Sequence, residues 1–149
     1  MYRSILVAVD GSEYSAKAVK HAGLLAKMSG AKLVLFYAAP HVHMPPYTDG
    51  LEVGRVREVE DLAKSARDVQ ANKLLTDARK DLGFADLPVE QGFAVSGNPY
   101  EAILEAAKNH DCDLIVMAPH GHHGIAGILL GSETQKVLTH SKVPVLVVH

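Results

Sequence analysis

Short apolar runs rich in β-branched residues alternate with longer stretches of helical period along the whole chain, and few architectures accept that order. The runs are residues 4–9, 32–39, 89–95, 113–117 and 143–148. Their length and composition predict five strands. Between the first two, residues 14–28 place Ala18, Ala22, Leu25 and Ala26 at helical spacing, opened by Asp10-Gly11-Ser12 and stopped by Ser29-Gly30. Residues 51–82, rich in Ala, Lys, Arg, Asp, Glu and Leu, predict a long amphipathic helix closed by Gly83, with Val56, Val59, Leu62, Ala63, Ala66, Val69 and Leu74 on its apolar face. Gly97-Asn98-Pro99 predicts a third helix, capped by Asn98 and running to about residue 110, and Ser132 is expected to cap a fourth that reaches His140.

Strands that alternate with helices, and are apolar on both faces, indicate a mostly parallel sheet covered on both sides. The expected fold is therefore α/β: one doubly wound, five-stranded parallel sheet in the order 3-2-1-4-5 with helices on both faces, and a single domain over residues 1–149. In that order the direction of winding reverses between the first and fourth strands, and such sheets take their ligands at the strands' carboxyl ends beside the reversal. The residues after Val9 and after Met117 should share one crevice.

With a net charge of −2 and a pI of about 6.5, the chain carries no uniformly basic surface, which argues against a nucleic-acid partner. No apolar stretch approaches the roughly 20 residues a bilayer span requires, so no membrane association is expected. The single cysteine, Cys112, can form no internal disulfide, and no basic-then-apolar leader precedes the first apolar run. A cytoplasmic location is the expectation.

After the fourth strand the chain reads Ala118-Pro-His-Gly-His-His-Gly-Ile-Ala-Gly-Ile-Leu-Leu-Gly-Ser, with Gly121, Gly124, Gly127 and Gly131 in close succession. Glycines permit positive φ and close backbone approach, so successive N–H groups can form an anion nest, and the helix that follows adds its positive dipole end. The same glycines could simply make tight turns. Asp10, at the end of the first strand, can hydrogen-bond ribose hydroxyls or serve as a turn residue.

From Ile5-Leu-Val-Ala-Val-Asp-Gly-Ser to Val143-Pro-Val-Leu-Val-Val, the chain resembles the universal stress protein family. Members of its nucleotide-binding branch carry Gly, two residues, Gly, nine residues, then Gly-Ser or Gly-Thr; here Ala118, Gly121 and Gly131-Ser132 take that register. The resemblance implies ATP or a related adenine nucleotide, with Mg²⁺ or Mn²⁺ as an accompanying metal. It sets Asp10 on the ribose, with Ala8 and Val9 beside the nucleoside, and lines the adenine pocket with Ala38 and Met117. Gly121, Gly131, Ser132, Glu133 and Thr134 then fall at the phosphates. It also implies a homodimer joined through the C-terminal strand, residues 143–148. Ala118 departs from the family's glycine: its methyl would crowd the ligand if the backbone there needs positive φ and would be tolerated if it is extended.

Five of nine histidines, His41, His43, His120, His122 and His123, follow strands whose ends should neighbour the crevice. They could supply imidazoles to a metal, but no cysteine or carboxylate completes a ligand set, and the reading adopted is of loop histidines facing solvent or phosphate. Protonated, His120, His122 or His123 would add positive charge near a polyphosphate. The loop at residues 40–50 leaves the second strand on the ligand side, where it could act as a lid. No metal site and no catalytic residue is assigned: the chain has no Walker-type Gly-Lys-Ser sequence, and no Lys or Arg lies within residues 118–132. A nucleotide-binding stress or signalling protein, acting through nucleotide-dependent conformation or partner binding, is the leading expectation. A slow ATPase and a nucleotide-independent dimeric adaptor are the alternatives.

Overall fold

In the computed structural model, residues 1–42, 53–121 and 130–149 are described. Five parallel strands, β1 (Ser4–Ala8), β2 (Lys32–Ala39), β3 (Val89–Val95), β4 (Leu114–Met117) and β5 (Val145–Val147), form one sheet in the order β3-β2-β1-β4-β5. The helices are α1 (Glu13–Ser29), α2 (Val53–Asp81), α3 (Pro99–Asn109) and α4 (Ser132–His140). The architecture is the α/β sheet expected from the alternation of periods, with the expected strand order.

Period-two alternation divides the core. Ile5 and Val7 of β1, Leu33 and Leu35 of β2, and Leu114 and Val116 of β4 face α1 and α2, meeting Ala18, Val19, Ala22 and Ala26 of the first helix and Leu75 and Ala78 of the second. Leu6, Val34, Phe36, Ile115 and Met117 face the other way, toward Ala102, Ile103, Ala106 and Ala107 of α3 and Val137 of α4. With both faces covered, the three central strands are buried almost throughout. The small alanines bring the helices close to the sheet.

Chain punctuation accounts for most boundaries. Ser12 caps α1, its hydroxyl accepting the Ser15 N–H at 3.1 Å, and Gly30 ends the helix in the left-handed conformation with φ +71°. Two caps differ from expectation. Asn98 makes no side-chain cap bond; its amide nitrogen instead donates to Glu101 at 3.2 Å. Ser132 is the first residue of α4 rather than its cap, which is Gly131 and has no side chain to cap the helix.

The apolar face of α2 also differs. Val59, Leu62 and Val69 are exposed, and the buried contacts come from Ala71, Leu75 and Ala78 in the second half. A helix of 29 residues spans roughly 43 Å, whereas the longest strand has eight residues, roughly 26 Å. The sheet is too short to cover the whole helix.

At the amino ends of the strands, Asp113 ties β1 to the turn before β4: its carboxylate accepts N–H groups of Arg3 at 3.0 Å and Ser4 at 3.1 Å. Burial alone would raise this carboxyl's pKa, but the Ser4 and Arg3 amides outweigh it and hold the value below the ordinary 3.8. Cys112 is buried beside the Ser4 hydroxyl, 3.3 Å away, and burial pushes its thiol up from the ordinary 9.0.

Candidate nucleotide site

The carboxyl ends of β1, β2 and β4 open into a cavity of about 510 Å³, beside the point where the sheet's winding reverses. The volume is within the range of small-molecule sites. All twelve residues singled out from the sequence line it. Ala8, Val9 and Asp10 come from β1 and the turn beyond; Ala38 from β2; Met117, Ala118, His120 and Gly121 from the end of β4 and its following segment; Gly131, Ser132, Glu133 and Thr134 from the start of α4.

Asp10 is fixed by local geometry. Its Oδ1 accepts the Ser12 N–H at 2.8 Å, and its own N–H donates to the Ser15 hydroxyl at 3.4 Å. A Cβ placed on Gly121 would stand 2.5 Å from Asp10 Oδ2. Only a residue without a side chain lets the two segments approach so closely. Gly131 is confined similarly: its Cβ would meet His120 Cα at 3.3 Å and Pro119 O at 3.4 Å, while its N–H donates to that carbonyl at 2.7 Å. Neither glycine has positive φ. Of the two properties glycine offers, positive φ and close backbone approach, these two positions use the second.

Ala118 is settled by the same observation. Asp111 is the only non-glycine residue at positive φ among the described residues, so Ala118 has a backbone that any L-residue adopts. Its carbonyl accepts the buried Thr134 hydroxyl at 3.1 Å, a bond that clips α4 to the end of β4. This uses backbone alone and is indifferent to the methyl.

The His120 ring packs on Tyr14, centroids 4.3 Å apart, with both ring nitrogens buried and without a hydrogen-bond partner among the described residues. Buried imidazole nitrogens without partners are costly, and a polar ligand in the cavity would relieve that cost. Part of the wall is apolar, where Phe36, Ile103 and Met117 meet Ala8 and Ala38. Tyr37 also lines the cavity, and burial first, then the charge of Asp10, raises its phenol above the ordinary 10.0.

Phe36, Tyr37, Ser15, Pro99 and Ile103 were not singled out from the sequence. Phe36 and Ala38 share a strand face, and Pro99 and Ile103 lie four apart on one helix face, so the periods held the signal once α3 was known to cover this end of the sheet. The anion nest expected over residues 120–132 lies largely outside the described residues. So do His43, His122, His123, Gly124, Gly127 and most of the loop at residues 40–50. Among the described residues, no three His, Cys, Asp or Glu side chains gather as a metal site, and no helix is long and apolar enough to cross a membrane. A second hollow of about 350 Å³ between α1 and α2 includes Lys73 and Asp77, which pair with each other at 2.9 Å.

The universal stress protein family model matches residues 1–149. The chain belongs to the universal stress protein family. A universal stress protein of Thermus aquaticus is 34% identical over 148 residues, covering 99% of each chain. Among solved structures, a universal stress protein in complex with cAMP matches with a TM-score of 0.69 and 32% identity over 99% of this chain and 97% of that one. The protein MJ0577 of Methanocaldococcus jannaschii matches with a TM-score of 0.80 and 30% identity, over 99% of this chain and 96% of the other. This universal stress protein thus shares fold and whole-chain extent with these relatives.

Proposed function

We propose that the cavity binds an adenine nucleotide, ATP or a related one, and that occupancy sets the conformation and partner contacts of a stress-response or signalling protein. The observation that carries this reading is the meeting, in one cavity, of an apolar wall and a helix N-terminus whose cap residue, Gly131, has no side chain. A purine suits the first, and phosphate suits the second, where free N–H groups and the dipole favour an anion. Asp10 would accept from the ribose. The unpartnered nitrogens of His120 and the shape of the Gly121 contact add support. So does the relative solved with cAMP.

A divalent cation, Mg²⁺ or Mn²⁺, would enter with the phosphates. No lysine or arginine is among the described residues that line the cavity, so fast phosphoryl transfer lacks the cationic groups that usually stabilise developing charge. Hydrolysis is proposed to be slow or absent, in a cytoplasmic protein that pairs as a homodimer through residues 143–148. Isothermal titration with ATP and AMP, with and without Mg²⁺, tests the binding, alongside analysis of nucleotide released when the purified protein is denatured and filtered. No released nucleotide and no heat at millimolar concentration would reject the reading.

A further inference from the structure

We propose that His120 couples nucleotide binding to the uptake of a proton, so that the cavity holds its ligand more tightly as the pH falls; the inference rests on the nucleotide reading above. His120 lines the cavity. Its backbone abuts the cap of α4: a Cβ placed on Gly131 would stand 3.3 Å from His120 Cα and 3.4 Å from its Cβ. The imidazole therefore starts within a side chain's length of the first amides of α4, where free N–H groups and the helix dipole favour an anion. Its ring packs against Tyr14 of α1, the centroids 4.3 Å apart and the planes tilted by 59°. Both ring nitrogens are buried, and neither has a hydrogen-bond partner among the described residues.

A neutral imidazole has one N–H donor and an imidazolium has two. A phosphate oxygen at the start of α4 is an acceptor that the cavity gains when a nucleotide enters, and a hydrogen bond from a charged donor to an anion is among the strong ones. An anion within a few ångströms of an imidazole favours its charged form. The bound state therefore carries more protons than the free one, and by linkage the affinity rises as the pH falls through the range where imidazole titrates. The other titratable side chains on the described wall are Asp10, Tyr37 and Glu133, and Lys17 Nζ lies 5.9 Å from the centroid of the Tyr14 ring. Of these side-chain types, imidazole alone ordinarily titrates between about pH 6 and about pH 8.

Titrations with cAMP at about pH 8 and about pH 6 test this on the wild type and His120→Gln. The phosphodiester keeps a single negative charge over that range, so the ligand adds no titration of its own. AMP is titrated alongside and judged by the difference between wild type and variant, since both share the titration of its phosphate. The wild type is expected to bind cAMP about fivefold more tightly at the lower pH, and to take up roughly half a proton near neutrality, read from binding heats in two buffers of different ionisation heat. In His120→Gln the affinity should change by less than about twofold over the same range, and the uptake should vanish. Thermal melts verify that the variant is folded; His120→Asn repeats the test if it is not, and the wild-type uptake needs no variant. A wild-type affinity that is equal at both pH values, or a pH dependence that His120→Gln retains, overturns the role of His120 while the nucleotide reading stands. Failure of cAMP, AMP and ATP to bind the wild type at either pH overturns both.

Discussion

A methyl group on Gly121 would meet Asp10 Oδ2 at 2.5 Å, so Gly121→Ala must either turn that carboxylate off the Ser12 amide or lift the segment after β4 away from β1. Either movement disturbs the polar end of the cavity. The expected outcome is a loss of nucleotide affinity of about tenfold or more, with a stability cost of about 1 kcal/mol from the displaced hydrogen bond. Titration beside a thermal melt measures both, and unchanged affinity in a normally melting variant would show that the contact is irrelevant to binding. Asp113 works at the opposite end of the strands. Because its folded pKa lies below the ordinary 3.8, its contribution is present above that value and is withdrawn as the pH falls through the folded one. Asp113→Asn is therefore expected to melt earlier at neutral pH, by about 1 kcal/mol after allowing for partial exposure. The gap between the two melting curves should close as the pH falls through the folded value, and a gap that persists below it would assign the effect to packing.

At the scale of elements, α2 is where period and burial part company. Its sequence offers two apolar stripes, one through Val59, Leu62 and Val69 and another through Ala71, Leu75 and Ala78, and periodicity alone cannot rank them. Packing ranks them: only the second reaches the sheet. Residues 54–70 are exposed or half-buried and none is fully buried, so their amides are expected to exchange at least about tenfold faster than those in residues 71–81. Exchange measured by mass spectrometry on peptides from the two halves decides this. Uniform protection along the helix would mean that a partner covers its first half in solution. The caps teach a related lesson. Ser12 and Gly30 act as their residue types suggest, because both ends of α1 are set locally. At α3 the suggested cap, Asn98, is superseded by Glu133, 33 residues away from Tyr100 along the chain. A bond between helices brought together by the sheet leaves no trace in local pattern.

For the whole molecule, strand order and the position of the crevice were legible because alternating periods and right-handed crossovers leave few arrangements of five parallel strands. The residues around Asp10 and from Met117 onward could be placed together before any distance was known. The apolar wall could not, since Phe36 and Ile103 look like ordinary core residues until the layer that covers them is fixed. The free edge of the sheet raises a question at the same scale. In the ladder between β4 and β5, Ile115 donates to the Pro144 carbonyl and Val148 donates to the Met117 carbonyl. Alternation then turns the N–H and C=O groups of Val145 and Val147 outward. Leu146 and, on α4, Leu138 add partly exposed apolar surface nearby. An edge of this kind, unpaired among the described residues, invites a second strand, and a second copy of β5 satisfies the proposed homodimer. Val147→Pro deletes one outward N–H and leaves the bonds to β4 in place, a substitution that edge strands accept. Sedimentation or light scattering should then find a dimer for the wild type and a folded monomer for the variant. A variant that remains dimeric would move the interface away from β5, and the exposed first half of α2 would be the next surface to examine.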